Sequence, residues 1–255
     1  MKITESDVKK ARIRLLTMHY ESKVGHVGGN LSCLDSLLVL YNEFIGPDDR
    51  FILSKGHSAG ALYTALWSIG RLSDDSLKTF HKDATLLAGH PPAAGIDEIR
   101  FATGSLGHGL SLAAGAALAL KLKGLAGTVY CLTSDGEWQE GSTYEAMVFA
   151  AHHRLNNLKI LVDHNNLQGF GRTGDIASMS PLASKLSGFD LDLRVIDGHD
   201  LDAIRSAVSA TSNTCQLIVM ETRKGRGVSF MEDMMEWHYL PIGADQYSQA
   251  MRELA

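Results

Sequence analysis

Residues 133–169 read TSDGEWQEGSTYEAMVFAAHHRLNNLKILVDHNNLQG. Asp135-Gly136 follows one apolar run, and Asn165-Asn166 follows the next, about thirty residues on. A carboxylate and an amide oxygen at the ends of neighbouring strands make a set of hard oxygen donors. Such donors suit Mg²⁺ or Ca²⁺ rather than zinc. Mg²⁺ usually keeps positions for water and phosphate oxygens. One carboxylate and one amide therefore suit a metal-bound phosphate better than a closed metal cage. Gly136 leaves the backbone open to that phosphate. Taken singly, Asp-Gly and Asn-Asn are also ordinary turn pairs.

Five histidines add to this set: His26, His57, His90, His108 and His238. Four of them follow or flank glycine in loops, where packing does not require an imidazole. Histidine titrates near neutral pH and serves as donor, acceptor or acid/base group. An isolated Gly-His is otherwise a solvated turn. Lys224, in RKGRG after the last apolar run, reads either as a solvated loop lysine or as a partner for anionic charge.

The elements that must position these groups alternate. Thr4 and Asp7 form a capping box, with Ile3 and Val8 as its hydrophobic staple. Val8, Ala11, Leu15, Met18 and His19 then recur at helical spacing. Further helices are expected over 33–44, 58–70, 105–121 and 144–154, from Ser180-Pro181 with Pro181 at the first helical position, and from Asp200 to about Ala210. RFILSKGH, TVYCLTS, LKILVDH, LDLRVIDGHD and CQLIVMET read as strands, and 86–103 as a long loop. The tail from Phe230 reads as irregular, with a short helix near Tyr247. Continuous apolar strands joined by helices predict an α/β fold, a parallel sheet flanked by helices on both faces. No repeat or linker divides residues 1–255, so one domain is expected. In such sheets ligands bind beyond the carboxyl ends of the strands, where Asp135 and Asn165 lie.

A chain of 255 residues can bury roughly 70–75% of its unfolded surface without disulfides. Net charge is -5 with no Lys/Arg block, which argues against nucleic acid as a partner. Cys33, Cys131 and Cys215 lie far apart in apolar stretches and are expected to be reduced and buried. No apolar run approaches the ~18 residues of a membrane span. The N-terminal stretch lacks the apolar core of a signal peptide. A cytoplasmic location is expected.

The order of segments is more specific than any one of them. SKVGHVGGNLSCLDSLLVLY, DRFILSKGHSAGALY, AGHPP, FATGSLGHGL, SDGEWQEGSTYEA, VDHNNLQ, VIDGHD and ETRKGRGVSFME follow the order seen in transketolases. The chain most resembles the N-terminal subunit of split transketolases. The resemblance implies the diphosphate-binding domain of the thiamine diphosphate-binding fold, and transfer of a two-carbon ketol unit from a ketose or its phosphate to an aldose. It implies that the side chains of Asp135 and Asn165 and the carbonyl of Leu167 bind the metal. Gly136 would contact the diphosphate, and Gly104 and Leu106 the cofactor rings. His26, His57, His90 and His238 would surround the reactive centre: His26, His90 and His238 toward substrate, His57 and His238 toward cofactor. Lys224 would meet diphosphate charge.

Glu140 and Glu145 match glutamates that link two active sites across a subunit interface. Glu145 also completes a Ser142-x-x-Glu145 capping box. The resemblance further implies a partner of about 300 residues carrying the pyrimidine-binding domain, in a heterotetramer. Ser134, His108 and Tyr239 depart from the family pattern. A deoxyxylulose phosphate synthase-like or dehydrogenase α-like enzyme, and a non-catalytic subunit of the same fold, are the alternatives.

Overall fold

A computed structural model describes residues 2–255. Helix α1 spans Glu5–Ser22, α2 Val27–Val39, α3 Ala59–Ser68 and α4 Asp74–Leu77. Helix α5 spans Gly109–Leu122, α6 Gly141–His152, α7 Thr173–Ala177, α8 Leu182–Leu186, α9 Leu201–Ser209 and α10 Ala244–Glu253. The strands are β1 Arg50–Leu53, β2 Val129–Ser134, β3 Leu158–His164, β4 Leu167–Gln168, β5 Gly171–Arg172, β6 Asp192–Asp197 and β7 Gln216–Glu221.

Five strands form one parallel sheet in the order β1-β2-β3-β7-β6. Strands β4 and β5 make a small antiparallel hairpin just after β3. Successive side chains of a strand point to opposite faces, and the core divides accordingly. Phe51, Leu53, Tyr130, Leu132, Leu161, Ile218 and Met220 pack with α1, α2, α3, α9 and α10. Ile52, Val129, Cys131, Ile160, Val162, Leu217 and Val219 pack with α5, α6 and α8. Both faces are covered, so the central strands carry no polar face. The three cysteines are buried and free. Among the described residues, no helix is long and apolar enough to cross a membrane.

Local chemistry explains most element ends. The capping box of α1 is present, with the Thr4 hydroxyl and Asp7 carboxylate each serving the other's backbone. Asp200 caps α9 by accepting from the N–H groups of Asp202 and Ala203.

Four expectations need correction. Helix α2 starts at Val27, not near Cys33. Its glycines are helical and mark close packing: a Cβ on Gly28 would sit 3.0 Å from Lys224 Cγ. The run 40–44 continues α2 as a π-helical turn. Helix α5 starts at Gly109, because 105–108 forms a turn with Gly107 at φ +81°. Pro181 is the residue before α8 rather than its first residue. The expected Ser142/Glu145 capping box is absent. Glu140 precedes α6 without a side-chain cap, and the Ser142 hydroxyl donates instead to the Gly107 carbonyl at 2.9 Å.

Candidate active site

The carboxyl ends of β1, β2 and β3 open into a cavity of about 350 Å³. Asp135 is the first residue beyond β2. It is 3% exposed, and its carboxylate accepts from the Gly136 N–H at 2.9 Å and from the Thr173 hydroxyl at 3.1 Å. Burial, and after it the neighbouring Asp163, push its pKa up to about 6. No positive side chain bonds it directly among the described residues. A buried carboxylate in that state gains from a cation.

Asn165 follows β3. Its Nδ2 donates to the Asp163 carboxylate at 3.2 Å, and its Oδ1 accepts from the Leu167 N–H at 3.1 Å. Asp163 is an acceptor only, so it fixes the amide's orientation. One lone pair of Oδ1 then remains. Gly136 is half-buried, and a Cβ there would meet Gln168 Oε1 at 3.2 Å. Among the described residues, no cluster of three or more His, Cys, Asp and Glu could hold a metal. Asp135, Asn165 and Leu167 line one cavity, and a carboxylate beside an amide oxygen is the hard-donor chemistry that suits Mg²⁺ or Ca²⁺ rather than zinc.

Beneath this edge lies a pair that the sequence reading missed. Lys55, two residues beyond β1, and Asp163, in β3, are both fully buried and in direct contact. Burial opposes both charges, but each holds the other ionised. Lys55 is raised to about 12 and Asp163 is lowered. Lys55 also donates to the Gly29 carbonyl at 3.0 Å, and Asp163 accepts from the Ser32 hydroxyl at 2.6 Å and from the Thr222 hydroxyl.

Glu137, also missed, is fully buried. It accepts from the Gly107 N–H at 2.9 Å, the Ser134 N–H at 2.8 Å and the Ser54 hydroxyl. It thereby ties β1, β2 and the 105–108 turn together. The only sequence signal for these groups was a polar SK at the end of RFIL and a lone Asp inside LKILVDH. Ser134 itself lies in β2 without a positive φ, so its side chain fits.

His26, His57, His90 and His238 all line the cavity, as do Gly104, Leu106 and Lys224. His26 takes a left-handed backbone, φ +66°, at the start of α2, and its N–H donates to the His238 carbonyl at 3.0 Å. Ring centroids lie 4.9 Å apart for His26 and His238, and 5.6 Å for His26 and His57. Asn30, fully buried, donates from Nδ2 to the carbonyls of both His26 and His57, at 2.8 and 3.2 Å. Gly104, at φ +149°, lets the His90 ring approach. A Cβ there would sit 3.0 Å from His90 Cδ2.

Burial lowers all four histidines, His57 well below its ordinary value and His238 to about 3. They are neutral at pH 7 and can both donate and accept. Lys224 is 1% exposed, against the solvated-loop reading. Burial, then Lys55, lower it to about 8, and its Nζ is 3.0 Å from His238 Nδ1.

Glu140 and Glu145 are not brought together. Glu140 sits exposed at the cavity rim, whereas Glu145 faces outward beside Ser111, Gly115 and Phe149. His108 is exposed and lies before α5, and the Tyr239 ring stands edge-on to His238 at the cavity mouth.

The family described as "Transketolase, thiamine diphosphate binding domain" matches residues 5–255. The chain is 36% identical to a subunit of the apulose-4-phosphate transketolase of Phocaeicola vulgatus, covering 98% of this chain and 93% of that one. It is 37% identical to the 6-deoxy-6-sulfo-D-fructose transketolase subunit of Clostridium sp., covering 95% and 93%. The solved transketolase of Campylobacter jejuni superposes with a TM-score of 0.88 at 27% identity, over 99% of this chain and 43% of that one. That of Leishmania mexicana superposes with a TM-score of 0.90 at 25% identity, over 100% and 42%. The chain thus spans less than half the length of these solved enzymes.

Proposed function

The chain belongs to the transketolase family as its thiamine diphosphate-binding domain, and from that premise we propose that it works as the N-terminal subunit of a split transketolase. Residues 1–255 would form one diphosphate-binding domain. The observation that carries the reading is the convergence of Asp135, Asn165 and Leu167 with four histidines and two buried lysines, Lys55 and Lys224, in one cavity.

When bound, thiamine diphosphate supplies the carbanion chemistry by which a two-carbon ketol unit moves from a ketose, or its phosphate, to an aldose acceptor. The side chains of Asp135 and Asn165 and the carbonyl of Leu167 hold Mg²⁺ or Ca²⁺. Gly136 admits the diphosphate to the backbone. His57, His238 and Lys224 meet the diphosphate with hydrogen bonds and charge, and Gly104 and Leu106 bear on the rings. His26 and His90, with the outer edge of His238, face the sugar. Neutral imidazoles suit that work, since each can accept a proton from a hydroxyl or return one.

The relatives of similar length are named as subunits, which supports a second chain as partner. That chain would carry the pyrimidine-binding domain, in a heterotetramer assembled in the cytoplasm. Glu140 at the rim and Glu145 on α6 would lie against the neighbouring subunit. The two named relatives carry different sugars in their names, an apulose phosphate and a sulfo-deoxy-fructose.

Titration calorimetry with thiamine diphosphate and Mg²⁺, in the presence of the partner chain, tests the site. Asp135→Ala should weaken binding by more than about 2 kcal/mol, a charge-assisted contact plus a lost metal ligand. Unchanged affinity would overturn the assignment.

A further inference from the structure

We propose that His199, outside the cavity, is the positioning residue that sets Lys224 in place. This rests on the reading of Lys224 as a diphosphate contact. The turn after β6 is pressed against the end of β7. The Gly198 N–H donates to the Glu221 carbonyl at 2.8 Å, and a Cβ on Gly198 would lie 2.4 Å from Thr222 Cγ2. The next residue, His199, thereby reaches the strand's exit.

Its Nδ1 lies 2.8 Å from Asp35 Oδ2, and its Nε2 lies 2.9 Å from the Arg223 backbone N–H. A carboxylate accepts and an N–H donates, so one tautomer satisfies both: Nδ1–H toward Asp35 and a bare Nε2 toward Arg223. Arg12 also donates from Nη2 to both Asp35 oxygens, at 2.6 Å each. Side-chain exposure is 9% for His199 and 1% for Asp35. The chain Arg12–Asp35–His199 thus fixes an imidazole whose free nitrogen grips the backbone one residue before Lys224.

On the other side of Lys224, the Gly225 N–H donates to the Gly28 carbonyl at 3.0 Å. Lys224 is clamped at both neighbours, which places its ammonium in the cavity. The Lys224 carbonyl also accepts from the Asp233 N–H at 2.9 Å, and the Arg223 side chain adds ion pairs to Glu232 and Asp233 that are partly open to solvent and worth little.

Two substitutions separate the nitrogens. His199→Asn keeps a donor near Nδ1 and loses the acceptor for Arg223. His199→Gln can put a carbonyl oxygen near Nε2. With the partner chain, Mg²⁺ and thiamine diphosphate, calorimetry should show Kd raised about fivefold to tenfold in His199→Asn, the loss of one hydrogen bond. His199→Gln should stay near the unsubstituted value. Equal Kd in the two variants would overturn the proposal, as a merely structural role lowers the melting temperature of both without splitting them.

Amide exchange of Arg223 in the unsubstituted chain, followed by NMR, needs no variant. It should be slowed at least about 100-fold relative to an unstructured peptide, and unslowed exchange overturns the anchor whether or not either variant folds. Failure of the unsubstituted assembly to bind thiamine diphosphate would instead defeat the proposed function, and would leave the exchange result to judge His199 alone.

Discussion

Lys224 carries a stability cost that its proposed contact with diphosphate would offset. Burial depresses its pKa from the ordinary 10.5 to about 8. The unfolded chain therefore binds the extra proton between those values, and stability of the cofactor-free chain rises with pH across that window. At pH 7 the buried ammonium costs up to about 3 kcal/mol, 2.5 pKa units at 1.36 kcal/mol each. Lys224→Met should accordingly stabilise the cofactor-free chain at pH 7, lose that advantage near pH 10.5, and bind diphosphate more weakly. Urea melts at the two pH values read the first effect. His90 makes the complementary case. It lies at the outer wall of the cavity against Gly104, away from the buried floor. His90→Ala should lower kcat/KM by ~10²–10⁴-fold, the worth of a positioned acid/base group, with little change in cofactor affinity. A fall in affinity with normal turnover at saturating cofactor would assign it to the cofactor instead.

At the scale of elements, the site is a set of strand ends held in register. Lys55 lies two residues beyond β1 and Asp163 lies in β3, with β2 and Asp135 between them. Removing one member of a buried ion pair leaves the other charge uncompensated, at about 3–5 kcal/mol. Lys55→Met should destabilise the chain by that amount in chemical denaturation. The double variant Lys55→Met/Asp163→Leu should recover much of it, because both charges are then gone. A double variant no more stable than Lys55→Met would show that the hydroxyls of Ser32 and Thr222, also directed at Asp163, carry the energetics. Either variant should disturb Asn165, whose amide orientation depends on Asp163.

For the whole molecule, the outer surface of α5 and α6 is one apolar face that the fold of a single chain leaves uncovered. Val148 is 60% exposed and Phe149 38%, beside a shallow cavity floored by Ser111, Ala114 and Gly115. Small residues there let another backbone approach closely. A Cβ on Gly115 meets nothing within 4 Å, so a side chain is tolerated by the isolated fold. Gly115→Arg should leave the melting temperature of the single chain within about 2 °C, since surface changes stay within about 0.5 kcal/mol. It should reduce assembly with the partner, read by light scattering. Undisturbed assembly would move the interface elsewhere. The unsubstituted chain by itself should show no ketol transfer and gain it on mixing with its partner.

Alternating apolar runs and helical periodicity were enough to specify the parallel sheet, its two covered faces and the position of Asp135 and Asn165 beyond β2 and β3. Those are local properties: side-chain period, strand length and turn chemistry act within a few residues of the chain. The clustering of His26, His57, His90 and His238 was expected from the resemblance alone, for no spacing along the chain implies it. Tertiary structure decided the rest. Lys55 with Asp163, Glu137 with Ser54 and Gly107, and His199 with Asp35 join residues far apart in sequence, and each is an ordinary polar residue when read alone. Helix α2 was placed too late for the same reason: Gly28 and Gly29 resemble a loop until Lys224, Trp237 and His57 stand against them. Burial in a shared low-dielectric interior turns these groups into acceptors, donors and charges that must be matched, and only the folded chain determines which ones share it.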